Sequence, residues 1–241
     1  MALKLKKPKE VKEVVNERKP HKCNFCDRSF YSERSLLIHV CDQKSRFLAR
    51  DNKHVRMGFK AYQKVMTFLR MSSKGNFDDF DNSKFYTAFV KFGKFIIDLN
   101  AIQPMGFVDF LIRIEIPIDK WCSMSLYETY IREMTKVETP SDAIERNILL
   151  MQQWADDTGE HWSDFFRKVS PVQATMWIMS GRVSPWVLYT APSAAILFDK
   201  FTDEQLSFIQ NTIDPDFWQR KIEQNKKEVD NIKKMLEEAG L

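Results

Sequence analysis

The residues of this chain that could do chemistry together lie close to one another in sequence. Cys23 and Cys26 are separated by two residues, as a zinc knuckle requires, His39 follows further on, and Cys41 stands two residues beyond it. Three thiols and an imidazole are a donor set suited to Zn2+, which favours sulfur and nitrogen ligands in fours. His21 and His54 could substitute for Cys41 as the fourth ligand. The rest of the chain offers less. Its seven glycines form neither a GxGxxG nor a GxxxxGK[ST] phosphate loop. His161, near Glu160 and Asp164, reads as a helix-start residue. Asp78, Asp79 and Asp81, interleaved with Phe77 and Phe80, read as a loop leading into the next helix, and Cys122 beside Trp121 reads as a core residue. No catalytic set is visible, so the chain reads as non-enzymatic.

The elements that must position the four ligands follow from the next spacings. Phe30 lies four residues after Cys26, Leu36 six after Phe30, and His39 three after Leu36. Residues 20–45 therefore resemble the Cys-Cys-His-His zinc-finger family, and Lys19-Pro20 resembles that family's linker. The resemblance implies a ββα unit in which a hairpin supplies two thiolates and a helix supplies the imidazole. It further implies that Phe30 and Leu36 form a miniature core held by zinc. One departure has a structural consequence. The family's second histidine would fall at Gln43 or beyond, whereas Cys41 is only two residues past His39. At 3.6 residues per turn, side chains two apart on a helix point about 200° apart. The helix must end or unwind at His39 if Cys41 is to reach the metal.

The base-contacting positions of such a finger align with Ser32, Ser35 and Ile38. Serine pairs loosely with any base and isoleucine makes no bidentate bond, so sequence-specific readout is not expected. Backbone contact is a better expectation. Lys19, Lys22, Arg28, Arg34, Lys44, Arg46, Arg50 and Lys53 surround the finger, with Phe47 and His54 available to stack on bases. The plainer reading of the same stretch is a zinc-stapled protein-docking module.

Charge is distributed accordingly. The formal net charge of +4 conceals sixteen Lys/Arg against seven Asp/Glu in residues 1–60, a balance of +9. The remainder holds 21 against 26, a balance of −5. A basic head on a mildly acidic body is suited to a polyanionic partner at the head. Four cysteines, three of them between positions 23 and 41, fit a metal site in a reducing compartment. No apolar run reaches membrane-spanning length, and the first residues lack the apolar stretch of a secretory signal, so an intracellular protein without membrane contact is expected.

The chain divides into a basic flexible arm (1–19), the finger (20–45), a basic connector (46–54) and a helical domain (55–241). The fold class expected is mainly α. With 19 Phe and 6 Trp against few glycines, the core should be helical and aromatic. Val55, Phe59, Tyr62, Val65, Met66 and Leu69 recur at helical steps, as do Phe85, Phe89, Phe92, Phe95 and Ile96, and a third helix follows Pro104. Ser125 to Glu128 and Thr202 to Gln205 have the form of capping boxes, and Thr139-Pro140 opens a long helix closed by Gly159. Ser170-Pro171 and Ser184-Pro185 bracket a short apolar helix stopped by Gly181. Trp177, Trp186 and Tyr189 in that stretch could line a partner groove, although core packing is the simpler role. Asp214-Pro215 opens one last helix that docks on the core through Ile222, Val229, Ile232 and Leu236.

Beyond the finger, Lys84-Phe-Tyr-Thr-Ala-Phe-Val-Lys-Phe-Gly93, Glu145-Arg146 with Trp154-Ala155, and Arg182-Val-Ser-Pro-Trp186 resemble uncharacterised proteins of T-even-like bacteriophages, including those of cyanobacteria. Tyr127-Glu-Thr-Tyr-Ile-Arg132 is similar to the all-helical helicase-loading proteins of those phages. The resemblance implies a protein acting in the cytoplasm of an infected bacterium or assembled in the virion. The expected function is a nucleic-acid-binding accessory protein of phage replication, recombination or transcription, its helical domain docking a protein partner. The alternative is a virion structural or assembly protein whose finger is a docking module.

Overall fold

The computed structural model describes residues 21–241; the arm 1–19, with Lys19, and Pro20 lie outside the described residues. The fold is mainly α, with one two-stranded sheet among the described residues. Strands β1 (His21–Lys22) and β2 (Ser29–Phe30) pair antiparallel and lead into α1 (Glu33–Leu37). The connector is itself largely helical: α2 spans Asp42–Ala49 and α3 begins at Lys53.

Five helices enclose a first core. They are α3 (Lys53–Phe68), α4 (Phe77–Asp81), α5 (Tyr86–Asp98), α6 (Pro104–Arg113) and α7 (Met124–Val137). Their apolar faces bury Val55, Tyr62, Phe80, Phe89, Phe92, Phe107, Leu111, Trp121 and Tyr127. The rings meet edge to face, as at Phe92–Trp121 (5.1 Å) and Tyr62–Phe89 (5.5 Å), which places positive ring edges against negative faces. Helices α3 and α5 cross at Gly58 and Gly93. A Cβ on Gly58 would lie 2.5 Å from the Phe89 carbonyl oxygen, and one on Gly93 would lie 2.6 Å from Gly58 N. These two helices touch backbone to backbone, a packing that only glycine permits.

The second core is built by α8 (Pro140–Thr158), α9 (Phe165–Lys168), α10 (Pro171–Met179), α11 (Pro185–Thr190), α12 (Ala194–Phe198), α13 (Asp203–Thr212), α14 (Pro215–Gln224) and α15 (Lys226–Glu238). It buries Trp154, Phe165, Phe166, Trp186, Leu197, Trp218, Ile232 and Leu236. Local chemistry opens these helices. Thr139 and Ser170 accept from the backbone of Asp142 and Gln173, each ahead of a proline that needs no donor partner. Thr202 and Gln205 form a complete capping box, and Gly159 closes α8 with a left-handed φ of 75°.

Three sequence expectations are corrected. Helix α7 opens at Ser123, which accepts from Leu126 N, and Ser125 lies inside the helix. The chain offers two serines two residues apart, and the earlier one has the extended backbone a cap needs. The acidic stretch at Asp78 to Asp81 is part of a short helix, not a loop; Asn76 caps it through the Asp79 N–H (2.8 Å), and Phe80 buries itself beneath it. The final helix is two helices, interrupted at Asn225 (φ −114°, ψ 38°), so that Val229, Ile232 and Leu236 turn onto the second core.

A polar joint ties the two cores together. Glu138, ending α7, has a side chain only 1% exposed and is clasped by Arg146 of α8. The guanidinium donates from Nε and Nη2 to both carboxylate oxygens at 2.8 Å, and from Nη1 to the carbonyls of Gly181 (2.5 Å) and Arg182 (2.7 Å). Ser184 Oγ donates to the same carboxylate and Trp186 Nε1 to the Glu138 carbonyl, each at 3.1 Å. This buried charge pair has every strong acceptor occupied, the condition under which burial of ions is tolerable.

Candidate metal centre and the surface around it

The centre is assembled by short-range structure. In the β1–β2 hairpin His21 faces Phe30 and Lys22 faces Ser29. The loop between the strands folds back on itself, with Cys23 N donating to Arg28 O (2.9 Å) and Asp27 N to Cys23 O (3.2 Å). Asp27 takes the left-handed conformation (φ 57°) that this turn demands and that a short polar side chain tolerates better than most. Ser32 caps α1 by accepting from Ser35 N. The helix then stops early: Ile38 is its C-cap, and His39 N bonds three residues back to Leu36 O in a tightened final turn.

That early stop is what lets Cys41 join. The chain runs extended at Cys41 (φ −121°, ψ 163°), which is simultaneously the N-cap of α2. Its side chain makes no capping bond to that helix and belongs instead to the group of Cys23, Cys26, His39 and Cys41, whose ligand atoms all lie within 4.8 Å of one another. Cys26 Sγ and His39 Nε2 are 3.1 Å apart, and the Phe30 ring packs against the imidazole at 4.7 Å between centroids. Around a tetrahedral zinc with bonds of ~2.3 Å to sulfur and ~2.0 Å to nitrogen, ligand atoms sit ~3.6–3.8 Å apart. The residues present therefore fit one metal ion with only small adjustments. Such an ion would supply no redox or acid–base chemistry here; with four protein ligands it would act as a structural staple. The backbone N–H of Phe25 holds the Cys23 thiol below its ordinary range. Cys26 is pushed up: the Arg28 N–H lowers it, but burial and the Cys41 and Cys23 sulfurs outweigh that pull. His21 is exposed on β1 and His54 is half-buried on α3; neither belongs to the group.

The basic residues around the centre separate into two sorts. Lys22, Arg28, Arg34 and Lys53 are exposed. Lys44 and Arg46 are half-buried and engaged within the protein, whereas Arg50 is exposed but lies against two aromatic rings. Lys44 Nζ donates to His39 O (3.1 Å) and so closes over the metal group. Arg46 Nη1 donates to the Asp81 carbonyl, and its guanidinium lies 4.4 Å above the Tyr86 ring. Arg50 lies between two rings, 5.3 Å from Phe47 and 5.6 Å from Phe77. Arg46 thus joins the finger's following helix to the first core. Its place in a basic run conceals that role; the only sequence signal is its position on the same α2 face as Ala49 and Arg50.

The positions aligned with base contacts are all exposed, but Ser32 Oγ and Ser35 Oγ bond to each other (2.8 Å). Around them the finger displays Tyr31, Leu37, Ile38 and Val40, each at least 70% exposed. In the large domain, His161 caps a short turn by accepting from Ser163 N. Cys122 is half-buried, and its burial pushes the thiol up. Trp186 is fully buried against Trp218 (5.3 Å), Trp177 stacks on Phe165 (5.6 Å), and Tyr189 is partly exposed. The three do not line a common groove.

Comparison of the chain with protein-family models, curated proteins and solved structures finds no match, and the bacteriophage resemblance gains no support from it. Among the described residues, no helix is long and apolar enough to cross a membrane.

Proposed function

We propose that this is a non-enzymatic nucleic-acid-binding accessory protein in which zinc, held by Cys23, Cys26, His39 and Cys41, fixes a basic surface against a helical body that docks a protein. The observation that carries the proposal is the segregation of charge: +9 in residues 1–60 against −5 in the rest. Lys22, Arg28, Arg34, Arg50, Lys53, Arg56 and Lys60 are all exposed, so most of the described basic residues of that head face solvent. With serines and an isoleucine at the aligned base-contacting positions, binding is to the backbone and independent of sequence. The bacteriophage resemblance suggests replication, recombination or transcription as the setting and an infected bacterial cytoplasm as the place.

The test is binding of labelled DNA and RNA by the full chain across a salt series. Lys22, Arg28, Arg34 and Lys53, releasing one counterion each, should contribute about −3 to −4 to the log–log slope, and reversing them to Glu should flatten it. Absence of salt-dependent binding refutes the proposal. The finger's exposed apolar residues, Tyr31, Leu37, Ile38 and Val40, favour a second reading, a virion assembly protein that uses the finger for docking. Mass spectrometry of purified particles separates the two: stoichiometric presence supports the second reading and absence removes it.

A further inference from the structure

Where the metal-bearing segment meets the first core, a cleft of about 350 Å³ is lined by Arg50, Asp51, Arg56, Phe59, Lys60, Gln63 and Phe77. Its volume is in the ~300–1,000 Å³ range of small-ligand sites. Its construction is simple. Arg56, Phe59, Lys60 and Gln63 fall at i, i+3, i+4 and i+7 on α3, so they form one outward face. Phe77, at the start of α4, meets Phe59 edge-on at 5.1 Å, and together they make an apolar wall. Arg50, from the end of α2, lies 5.6 Å from the centre of the Phe77 ring. Gln63 Nε2 donates to Gly75 O (3.1 Å), which fixes the amide and leaves its oxygen free to accept.

Two features point to the ligand. First, the cleft is cationic: Arg50, Arg56 and Lys60 against Asp51 alone, which accepts from Arg56 at 2.7 Å with both side chains well exposed. Lys53, one turn earlier on α3, extends the cationic stripe to about 10 Å along the helix. Second, the wall belongs to a longer row. Phe25 of the metal knuckle lies 5.2 Å from Phe47, Arg50 bridges Phe47 to Phe77, and Phe77 meets Phe59. Phe25 is 36% exposed and Phe47 47% exposed, a poor use of aromatic surface unless something flat covers it. Alternating rings and guanidinium planes beside lysines and arginines are how proteins hold unpaired bases, the rings and Arg planes taking bases and the cations taking phosphates. Paired bases in a duplex have no free face to offer.

We infer that this cleft holds an unpaired nucleotide, its base against Phe77 and Phe59 and its phosphates on Arg56 and Lys60, so that the protein prefers single-stranded nucleic acid. This inference rests on the nucleic-acid reading above and narrows its substrate.

The experiment compares the zinc-loaded full chain on three labelled probes by fluorescence anisotropy: oligothymidylate, an abasic strand of equal length and charge, and a duplex. The base-bearing strand should bind about 5- to 150-fold more tightly than the abasic one, the range that stacking of one base carries. Phe77→Leu should erase that difference. Lys60→Glu, at an exposed position that cannot disturb the core, should weaken both strands together. An oligouridylate run in parallel shows which sugar the cleft accepts, and preference for the base-bearing strand in either sugar supports the inference. Equal binding of base-bearing and abasic strands overturns it while the backbone reading survives. A preference that Phe77→Leu leaves intact, or binding that Lys60→Glu does not weaken, overturns the location. No binding to any probe overturns both readings.

Discussion

Replacing Arg146 with glutamine should be among the most damaging single changes in the molecule. The guanidinium neutralises Glu138, whose side chain is 1% exposed, and also satisfies the carbonyls of Gly181 and Arg182. A glutamine side chain is shorter and neutral, so Glu138 would remain buried as an uncompensated charge and the two carbonyls would lose their donor. Removing one partner of a buried pair costs about 3–5 kcal/mol, a large part of the ~5–15 kcal/mol that stabilises a typical domain. For a chain of this size, each kcal/mol moves the midpoint by about 2–4 °C, giving a fall of roughly 6–20 °C. The assay is thermal unfolding followed by tryptophan fluorescence, because Trp186 donates to the Glu138 carbonyl and abuts Trp218, within reach of the perturbation. Glu138→Gln combined with Arg146→Gln removes both charges and should lose less than the sum of the two single variants. A fall of under about 2 °C for Arg146→Gln, or additivity within ~0.5 kcal/mol, would refute the argument that this pair is a coupled joint.

Further outcomes follow from other sites. Gly93→Ala forces a methyl into the α3 backbone beside Gly58 N and should cost about 1–3 kcal/mol as an overpacked contact, read in the same melt. The Asp214 carboxyl is held below its ordinary range, first by the Phe217 N–H it caps and then by Lys136. A carboxyl lowered on folding contributes stability above its unfolded pKa of ~3.9 and loses it as pH falls through the folded value. Asp214→Asn, which can still cap the helix, should therefore make the acid limb of stability shallower below about pH 4, measured by urea midpoints across pH. Chelation of the metal should abolish the signature of the hairpin and α1 while the Trp186 signal of the second core persists, since metal and local folding are coupled only in the finger.

Much of the fold is legible where the controlling interactions are local. Thr139-Pro140, Thr202 with Gln205, and Ser170-Pro171 announce their helices because the cap and the proline act within one turn. The grouping of Cys23, Cys26, His39 and Cys41 is legible for the same reason, and the requirement that α1 stop by His39 comes from helical geometry alone. Long-range relations are not legible. Gly58 and Gly93 look like weak points of two helices until the helices are seen to cross there. Arg46 looks like one more surface cation, yet it clamps Asp81 and Tyr86, thirty-five and forty residues away. Helical periodicity shows which face of a helix is apolar but not which helix it meets, so the division of buried residues into two cores joined at Glu138 and Arg146 emerges only in three dimensions. The row from Phe25 through Phe47 and Arg50 to Phe77 is hidden likewise, its members being spread over three elements.

The candidate metal centre bears most directly on the proposed function, because the finger's cations Lys22, Arg28 and Arg34 and the Phe25 end of the aromatic row are placed by the segment that Cys23, Cys26, His39 and Cys41 bring together. The decisive measurement is elemental analysis of the purified full chain beside its Cys41→Ala and Cys122→Ala variants. One equivalent of zinc is expected in the parent and in Cys122→Ala, with a marked loss in Cys41→Ala after dialysis against a weak chelator. Zinc-free parent protein, or equal retention by all three, would contradict it.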